Sequence, residues 1–283
     1  MIADSFTADV LRWGVPRLRD LPWRRTRDPW AVLVSEVMLQ QTQVPRVVPR
    51  WTLFLDRFPT PAACAASPLG DVLREWQGLG YPRRARNLHL TAQRIVERGG
   101  FPTDLEGLLE LPGVGPYTAR ALLAFSFEQD AAVVDTNIAR VYARVAGRQL
   151  TARQVQMIAD ESLPAGDGWV WNQCLMDLGA VVCRPSSPDC RDCPVRSACA
   201  WHGSGLPDPA VGSSGVSVKQ PKFEGSDRQA RGRLMKALSS GPVEHASIAR
   251  LMRADADTAD RLVRTLVADG LCVADSLTVR LPD

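Results

Sequence analysis

Hydrophobic residues recur at three- and four-residue intervals over most of the first 202 positions. The pattern is clearest in the segments PWAVLVSEVMLQQT, GDVLREWQGL, ARNLHLTAQRIVERGG and YTARALLAFSF. Such spacing places apolar side chains along one face of an α-helix. Proline and glycine separate these segments at FPTP, LPGVGP and GDG, and the alternation typical of strands is absent from this part of the sequence. The pattern therefore predicts an all-α body.

The composition changes after residue 203. Residues 204–226 are rich in Gly, Pro and Ser, which predicts a linker. In residues 227–283, three helical patterns precede two short alternating stretches, LCVAD and LTVRL. This order is typical of a small winged-helix domain, although a helical cap with a β tail fits the same pattern.

Length and charge restrict the function only weakly. A chain of 283 residues can form one large domain or two to three small ones. The 34 basic and 31 acidic residues leave a net charge of +3, too small to indicate a nucleic-acid partner. The basic residues are nearly all arginine, which suits phosphate binding but also reflects a GC-rich genome. Apolar runs fall short of the roughly 18 residues that span a membrane, and the first residues do not resemble a secretory signal. We expect a cytosolic protein.

Four of the seven cysteines lie close together, at Cys183, Cys190, Cys193 and Cys199. Their spacing is C-x6-C-x2-C-x5-C, and such a cluster in a cytosolic chain indicates a metal rather than disulfides. Zinc held by four cysteines is one interpretation, but zinc sites usually present two separated C-x2-C pairs. A single compact loop around a [4Fe–4S] cluster fits the unequal spacing better.

A glycine-rich turn connects two helical segments at Leu111-Pro112-Gly113-Val114-Gly115. Glycine lets the backbone approach another chain closely, and the unpaired N–H groups of the following helix can bind phosphate. An ordinary turn between two helices is the alternative. A turn of this kind positions DNA without selecting its sequence.

Two carboxylates are candidates for acid and electrostatic catalysis. Glu36 shares a helical face with Val32, Leu33 and Leu39, and a carboxyl in apolar surroundings tends to stay protonated. Asp135 follows the apolar run AAVV and precedes a helix. A salt bridge for Glu36 and a helix cap for Asp135 are the structural alternatives. Two carboxyl groups in such different environments can divide the work between them, one as a proton donor and the other as an anion that stabilises a cation.

From about Trp23 to Cys199, the chain resembles the adenine DNA glycosylases of the MutY type, relatives of endonuclease III. The string SEVMLQQTQV at Ser35–Val44, the string GLGY at Gly78–Tyr81, the glycine-rich turn, Asp135 with Asn137, and the cysteine loop follow in that family's order. The resemblance implies a two-lobed helix-hairpin-helix fold with a [4Fe–4S] loop. We therefore expect one lobe from residues 1–27 with 134–203, a six-helix lobe at 28–133, the linker at 204–226 and the winged helix at 227–283.

The resemblance also implies roles for individual residues. Glu36 would protonate the adenine ring, Asp135 would stabilise the cationic sugar, and Tyr117 and Asn137 would support both groups. Gln41 would fill the space left by the flipped base, and Tyr81 would intercalate on the opposite strand. Further DNA contacts would come from Gln40, Thr42, Leu79, Gly80, Gly113, Val114 and Gly115, and the adenine pocket from Arg19, Trp23, Arg24, Leu39 and Gln173.

These roles imply a monofunctional enzyme of base excision repair that hydrolyses adenine from mispairs with 8-oxoguanine or guanine. Endonuclease III-like relatives carry a lysine at position 117, and Tyr117 cannot form a Schiff base. The expected partner is double-stranded DNA containing the mispair, and we expect a cytoplasmic, nucleoid-associated monomer. A glycosylase for another lesion, such as mismatched thymine, and a non-catalytic DNA-binding protein with a cluster are the alternatives.

The sequence departs from the family in two places. Longer members append a Nudix-like β-rich domain that inspects 8-oxoguanine, whereas fewer than 60 mostly helical residues follow the linker here. Tyr81 is followed by Pro82, where many relatives have a second tyrosine. The means of recognising 8-oxoguanine therefore does not follow from the resemblance.

Overall fold

The computed structural model describes residues 5–216 and 222–283, and this part of the chain is mainly helical. The all-α prediction is confirmed. The helices are α1 (Ser5–Gly14), α2 (Pro29–Leu39), α3 (Val44–Arg57), α4 (Pro61–Ala65), α5 (Leu69–Glu75), α6 (Arg83–Glu97), α7 (Leu105–Leu109), α8 (Pro116–Phe125), α9 (Thr136–Ala146), α10 (Ala152–Ser162), α11 (Gly168–Asp177), α12 (Asp227–Leu238), α13 (His245–Met252) and α14 (Ala256–Ala268). The strands are β1 (Val243–Glu244), β2 (Val273–Ala274) and β3 (Thr278–Arg280).

The described residues form two compact units. Unit 1 contains residues 5–32, 103–106 and 114–216, and unit 2 contains residues 33–102, 107–113 and 222–283. These boundaries differ from the expected lobes, because residues 114–133 belong to unit 1 and the C-terminal residues cluster with residues 33–102. Within the described residues, the helices are too short or too polar to cross a bilayer.

The core of unit 1 forms around aromatic side chains from α1, α9 and α11. The Phe6 ring packs edge-on against Trp171, with ring centroids 5.8 Å apart, and tilts against Tyr142 at 6.1 Å. All three side chains are fully buried. Five residues at the end of α11, Leu178–Val182, form a π-helical turn that leads directly to Cys183. The unit 1 core thereby anchors the start of the cysteine loop.

In unit 2, the aromatic core lies among the helices that precede the glycine-rich turn. Phe54 of α3 contacts Phe58 at 4.9 Å and meets the Trp76 ring edge-on at 6.0 Å. Helix α6 packs closely on α4 and α5. Its buried positions, including Leu88 and Ile95, follow the helical spacing in the sequence.

The C-terminal residues form the predicted winged helix. Helices α12, α13 and α14 precede the β2–β3 hairpin, and β3 lies between β1 and β2 in an antiparallel sheet. Strand β1 was not predicted from the sequence. The domain contacts the helical part of unit 2. Gln77 donates to the Met235 carbonyl at 3.0 Å, and Gly70 N–H donates to the Pro282 carbonyl at 3.0 Å.

Residues 208–214 of the predicted linker pack against unit 1 rather than forming a free connection. Arg144 forms a 2.6 Å ion pair with Asp208, and Ala210 and Ser213 are buried. The Ser213 hydroxyl accepts from Leu150 N–H at 3.0 Å, and Ser214 N–H donates to the Leu150 carbonyl. Small polar residues therefore pack here through backbone hydrogen bonds rather than through large apolar side chains. The predicted linker residues 217–221 lie outside the described part of the chain.

Candidate active site and cysteine centre

Glu36 lies in a helix that is buried along nearly its whole length. In α2, every residue from Trp30 to Met38 is buried, and Glu36 is 6% exposed. Glu36 is the single carboxylate of α2, whose sequence is PWAVLVSEVML. A carboxylate is rarely buried without a specific role or partner. Glu36 is therefore buried, as expected, in a helix whose other residues are almost all apolar.

Arg84 of α6 holds together the two segments predicted to contact DNA. Its guanidinium donates to the carbonyls of Val37, Met38, Gln40, Leu79 and Gly80 and to the Thr42 hydroxyl, at 2.6–3.1 Å. These acceptors belong to the end of α2, the segment after it and the GLGY string. Burial lowers the pKa of Arg84 to about 10, which leaves it charged at neutral pH. The sequence provided no signal for this residue.

Both segments held by Arg84 contain a side chain on a left-handed backbone. Gln41 has φ +56° and Tyr81 has φ +49°, a region that residues other than glycine seldom occupy. The Thr42 hydroxyl also donates to the Leu79 carbonyl at 3.3 Å. Gln41 is exposed and Tyr81 is 37% exposed. Strained backbone of this kind concentrates at functional sites. Gln41 and Tyr81, the two residues predicted to enter the duplex, therefore lie in neighbouring turns that Arg84 holds in place.

The glycine-rich turn is fixed against α6 in unit 2. Gly113 has φ +78°, and a Cβ there would lie 2.8 Å from the Asn87 Cβ. The Thr91 hydroxyl donates to the Pro112 carbonyl at 2.6 Å. In unit 1, Gly115 caps the start of α8 in an extended conformation, and Tyr117 occupies the first turn of that helix. The geometry fits a turn whose backbone approaches a phosphate.

Asp135 caps the start of α9. One carboxylate oxygen accepts from Ile138 N–H at 2.7 Å, and the other accepts from the Asn137 side-chain amide at 2.9 Å. Burial raises the pKa of Asp135 above its ordinary value, and the hydrogen bonds from Ile138 and Asn137 oppose this rise. The capping role and the position beside Asn137 are thus both present. The two readings of this residue do not exclude each other.

A buried arginine connects Asn137 to the first cysteine. Arg140 donates to the Asn137 side-chain oxygen at 2.8 Å, to the Gly179 carbonyl at 2.6 Å and to the Cys183 carbonyl at 2.7 Å. Burial lowers the pKa of Arg140. A Cβ on Gly179 would lie 2.6 Å from the Asn137 Cβ, so the close packing of the π-helical turn against α9 requires glycine.

Two of the residues expected to line the adenine pocket, Arg19 and Arg24, bind a carboxylate that the sequence did not single out. Asp177 accepts from Arg19 Nε at 2.6 Å and from two nitrogens of Arg24 at 2.8 Å each. Burial alone would raise the pKa of Asp177, but the Arg24 and Arg19 guanidiniums lower it below its ordinary value. Trp23 and Gln173 are buried. The two arginines are therefore held by Asp177. Leu39, also expected to line the pocket, ends α2 in unit 2 and is half-buried.

The four clustered cysteines line one partly open cavity. Burial raises the pKa of Cys193 to about 11, and the nearby thiols of Cys183, Cys199 and Cys190 add to the rise. Among the described residues, no group of three or more His, Cys, Asp or Glu side chains lies close enough together to hold a metal ion. The four cysteines are therefore gathered around one cavity without being in ligand geometry.

Arg144 braces the walls of this cavity. It donates to the Arg184 carbonyl at 2.8 Å and to Cys183 Sγ at 3.3 Å, and its guanidinium lies 4.8 Å from the centre of the Trp201 ring. The Cys199 thiol donates to the Arg144 carbonyl at 3.4 Å. Arg144 therefore contacts both ends of the cysteine loop, Cys183 through its guanidinium and Cys199 through its backbone carbonyl. A positive charge beside Cys183 favours the thiolate form of that residue.

Known proteins resemble this chain over most of its length. Residues 34–169 match the family described as HhH-GPD superfamily base excision DNA repair protein. A relative named adenine DNA glycosylase from Mycolicibacterium smegmatis is 40% identical over 272 residues, which cover 93% of this chain and 91% of the relative. A second, from Mycobacterium tuberculosis, is 40% identical over 274 residues, covering 93% and 88%. The solved structure of a thermostable thymine-DNA glycosylase is 29% identical, with a TM-score of 0.67, covering 70% of this chain and 94% of that one.

Proposed function

Because the chain belongs to the adenine DNA glycosylase family of base excision repair enzymes, we propose that it hydrolyses the N-glycosidic bond of adenine mispaired with 8-oxoguanine or guanine. The observation that carries this proposal is the presence of two carboxylates in different environments. Glu36 lies in a buried, apolar helix, whereas Asp135 accepts two hydrogen bonds at a helix start. Environments that differ in this way let one carboxyl act as an acid and the other as an anion.

In the proposed reaction, Glu36 donates a proton to the adenine ring, so that the base leaves as a neutral molecule. The bond between the base and the sugar breaks, and its electron pair leaves with the base. Asp135 then faces a positively charged sugar, which its carboxylate stabilises while water adds at the same carbon. Asn137 holds one oxygen of Asp135 in place. Water supplies the hydroxyl of the abasic product, and the proton that it releases returns to the Glu36 carboxylate, which restores the acid.

Tyr117 makes a lyase step unavailable at its position. A phenol cannot form the Schiff base through which an amine nucleophile cleaves the strand. Tyr117 lies in the first turn of α8, next to the glycine-rich turn. We therefore infer a monofunctional enzyme that leaves an intact strand with an abasic site.

The proposed DNA contacts divide between positioning and base extrusion. Gly113, Val114 and Gly115 precede the N-terminus of α8, where backbone N–H groups can hold a phosphate. Gln41 and Tyr81, flanked by Gln40, Thr42, Leu79 and Gly80, come from the two turns that Arg84 braces. Side chains wedged into the duplex offset the cost of unstacking the flipped base.

The cysteine residues fit a [4Fe–4S] cluster. Cys183, Cys190, Cys193 and Cys199 all line one cavity, and Arg144 beside it would offset part of the negative charge of four thiolates. Such a cluster, ligated by four cysteines, would have a structural role: it would hold residues 183–199 in one loop. Zinc bound by the same four thiolates is the competing assignment.

The proposal is tested by single-turnover excision from duplexes that pair adenine with 8-oxoguanine, guanine or cytosine. Alkali treatment of half of each sample separates base removal from strand cleavage. We expect removal opposite 8-oxoguanine and guanine, with strand breaks only after alkali. Glu36→Gln should retain mispair binding and lose about 10²–10⁴-fold in rate, the usual effect of losing a general acid. Glu97→Gln, an exposed glutamate of α6, is the matched control. Equal rates for Glu36→Gln and wild type would remove Glu36 from the mechanism.

Excision of thymine from a G:T mispair is the second candidate function. The thermostable thymine-DNA glycosylase shares this fold at 29% identity, which makes mispaired thymine the second candidate substrate. A duplex carrying a G:T mispair belongs in the same assay. Faster removal of thymine than of adenine would replace the adenine assignment.

A further inference from the structure

The winged-helix domain brings an arginine to the proposed intercalating residue. Arg228 Nη1 donates to the Tyr81 hydroxyl at 3.2 Å, and both residues belong to unit 2. The same guanidinium lies 5.2 Å from the centre of the Phe223 ring. Phe223 is 52% exposed and Tyr81 is 37% exposed. Two accessible aromatic rings therefore flank one guanidinium.

Local structure holds this group in place. The Ser226 hydroxyl and backbone N–H both donate to the Phe223 carbonyl, at 2.6 Å and 3.2 Å. The same hydroxyl caps α12 by accepting from Gln229 N–H, so that Arg228 sits in the first turn of a capped helix. The domain itself is secured beside Tyr81 by the ion pair between Arg83 and Asp269, at 2.5 Å. Arg228 is therefore presented from a braced position rather than from a free surface helix.

Nearby acidic groups already have cationic or amide partners. Asp227 forms a 3.0 Å ion pair with Arg261, and Glu224 accepts from the Gln229 side-chain amide at 2.9 Å. Arg233, on the same helix, donates to the Met252 carbonyl inside the domain. Of the described arginines of α12, Arg228 is therefore the one seen to contact the helical part of unit 2.

We propose that Tyr81, Arg228 and Phe223 form a single contact platform for the DNA strand opposite the excised adenine. Bases stack on aromatic rings and on guanidinium planes, and the guanidinium also binds phosphate or guanine-type acceptors. The platform rests on the proposed function, which places Tyr81 at the opposite strand. It gives the winged-helix domain a direct part in holding that strand, through a residue pair that joins it to the helical body.

The test measures the affinity of the full-length chain for a duplex with a non-cleavable adenine analogue opposite 8-oxoguanine. A fluorescent 2-aminopurine next to the 8-oxoguanine reports stacking at the opposite strand. Arg228→Ala and Phe223→Leu should each weaken binding at least about fivefold, because one base–aromatic stacking contact contributes that much or more. Both should also reduce the change in 2-aminopurine fluorescence. Arg228→Lys, which keeps the charge without the planar fork, should fall between Arg228→Ala and wild type.

Arg264→Ala is the matched control, since it removes an exposed arginine from α14 of the same domain. Melting curves and iron content confirm that each variant is folded. Equal affinity and equal fluorescence change for Arg228→Ala, Phe223→Leu and Arg264→Ala would overturn the platform. The proposed function fails separately, if the wild-type chain binds the duplex and excises no adenine from a cleavable one.

Discussion

Replacing Arg84 by lysine should loosen the two turns that carry Gln41 and Tyr81, while the fold stays intact. Arg84 makes six hydrogen bonds to the end of α2, the segment after it and the GLGY string. Lysine keeps the charge but has three donors on a single nitrogen, whereas the Arg84 contacts come from two nitrogens, so we expect about three of the six hydrogen bonds to be lost. At about 0.5–1.5 kcal/mol for each net hydrogen bond, the loss is about 2–4 kcal/mol. A loss of this size raises the open population of the turns by about 30-fold or more.

The left-handed backbone at Gln41 and Tyr81 makes these turns the first to respond. Each such residue stores strain of about 1 kcal/mol or more, which is released when the bracing is lost. Two amides report the opening directly: Thr42 N–H, bonded to the Leu39 carbonyl, and Leu79 N–H, bonded to the Trp76 carbonyl. Hydrogen exchange of both amides should accelerate together in Arg84→Lys. Affinity for mispaired DNA should fall with them.

Arg94→Lys is the control for this experiment. Arg94 lies on the same helix, and its ion pair with Glu97 is exposed on both sides, so the substitution should change neither exchange nor affinity. If the Thr42 and Leu79 amides of Arg84→Lys exchange at wild-type rates, Arg84 does not hold the two turns in place. Lost affinity without faster exchange would assign Arg84 a direct DNA contact instead.

Three further predictions concern the pH dependence of two aspartates, the clustered cysteines and the packing of Gly70. Asp135→Asn should lose about 10²–10³-fold in excision, as electrostatic stabilisers do, without melting lower at neutral pH. The reason is that burial raises the pKa of Asp135 in the folded chain. The ionised carboxylate therefore lowers the free energy of unfolding at pH values above the raised pKa, and this destabilisation disappears below the ordinary pKa of about 3.8. Asp255→Asn supplies the opposite sign, because backbone hydrogen bonding lowers the pKa of Asp255. Asp255→Asn should melt at a lower temperature near neutral pH, and this difference from wild type should fade as the pH falls through the lowered pKa. Melting curves at several pH values test both variants, and a change of melting temperature with the same sign in both would contradict the argument. Cys190→Ser and Cys193→Ser should lose the brown colour and iron, whereas Cys64→Ala, a buried cysteine outside the cavity, should keep both; stoichiometric zinc in anaerobically purified protein would contradict the cluster. Gly70→Ala should lower the melting temperature, because its Cβ would clash with the Pro282 carbonyl; an unchanged melting temperature would mean that the C-terminal residues do not pack there.

Local features of the active site could be predicted from the sequence because they depend on nearby residues. Asp135 accepts from residues two and three positions ahead, a pattern that a helix start produces by itself. The burial of Glu36 follows from the apolar run around it. The glycine at position 113 was visible as a turn residue, and its left-handed φ explains the requirement.

The bracing residues could not be predicted, because their partners lie far away in the chain. Arg84 reaches acceptors up to 47 positions distant, and Asp177 meets Arg19 across 158 positions. An arginine among 34 basic residues has no feature that identifies such a role. The linker prediction failed for a related reason. Gly, Pro and Ser are typical of flexible segments, yet Asp208 and Ser213 pack through hydrogen bonds whose partners lie more than 60 positions away.

The placement of the winged-helix domain changes how its arginines should be interpreted. From the sequence, Arg228, Arg231, Arg233 and Lys236 form one basic helix that could meet phosphates along its length. In the structure, Arg233 is used to close the domain on the Met252 carbonyl, while Arg228 reaches out of the domain to Tyr81. Surface arginines alone increase the affinity for DNA but do not select a position along it, because phosphates are uniform along a duplex. A guanidinium that is hydrogen-bonded to the proposed intercalating side chain is different, since it would meet DNA where that side chain enters the duplex. In the proposed platform, the contact with Tyr81 would thus direct a general phosphate contact to the lesion.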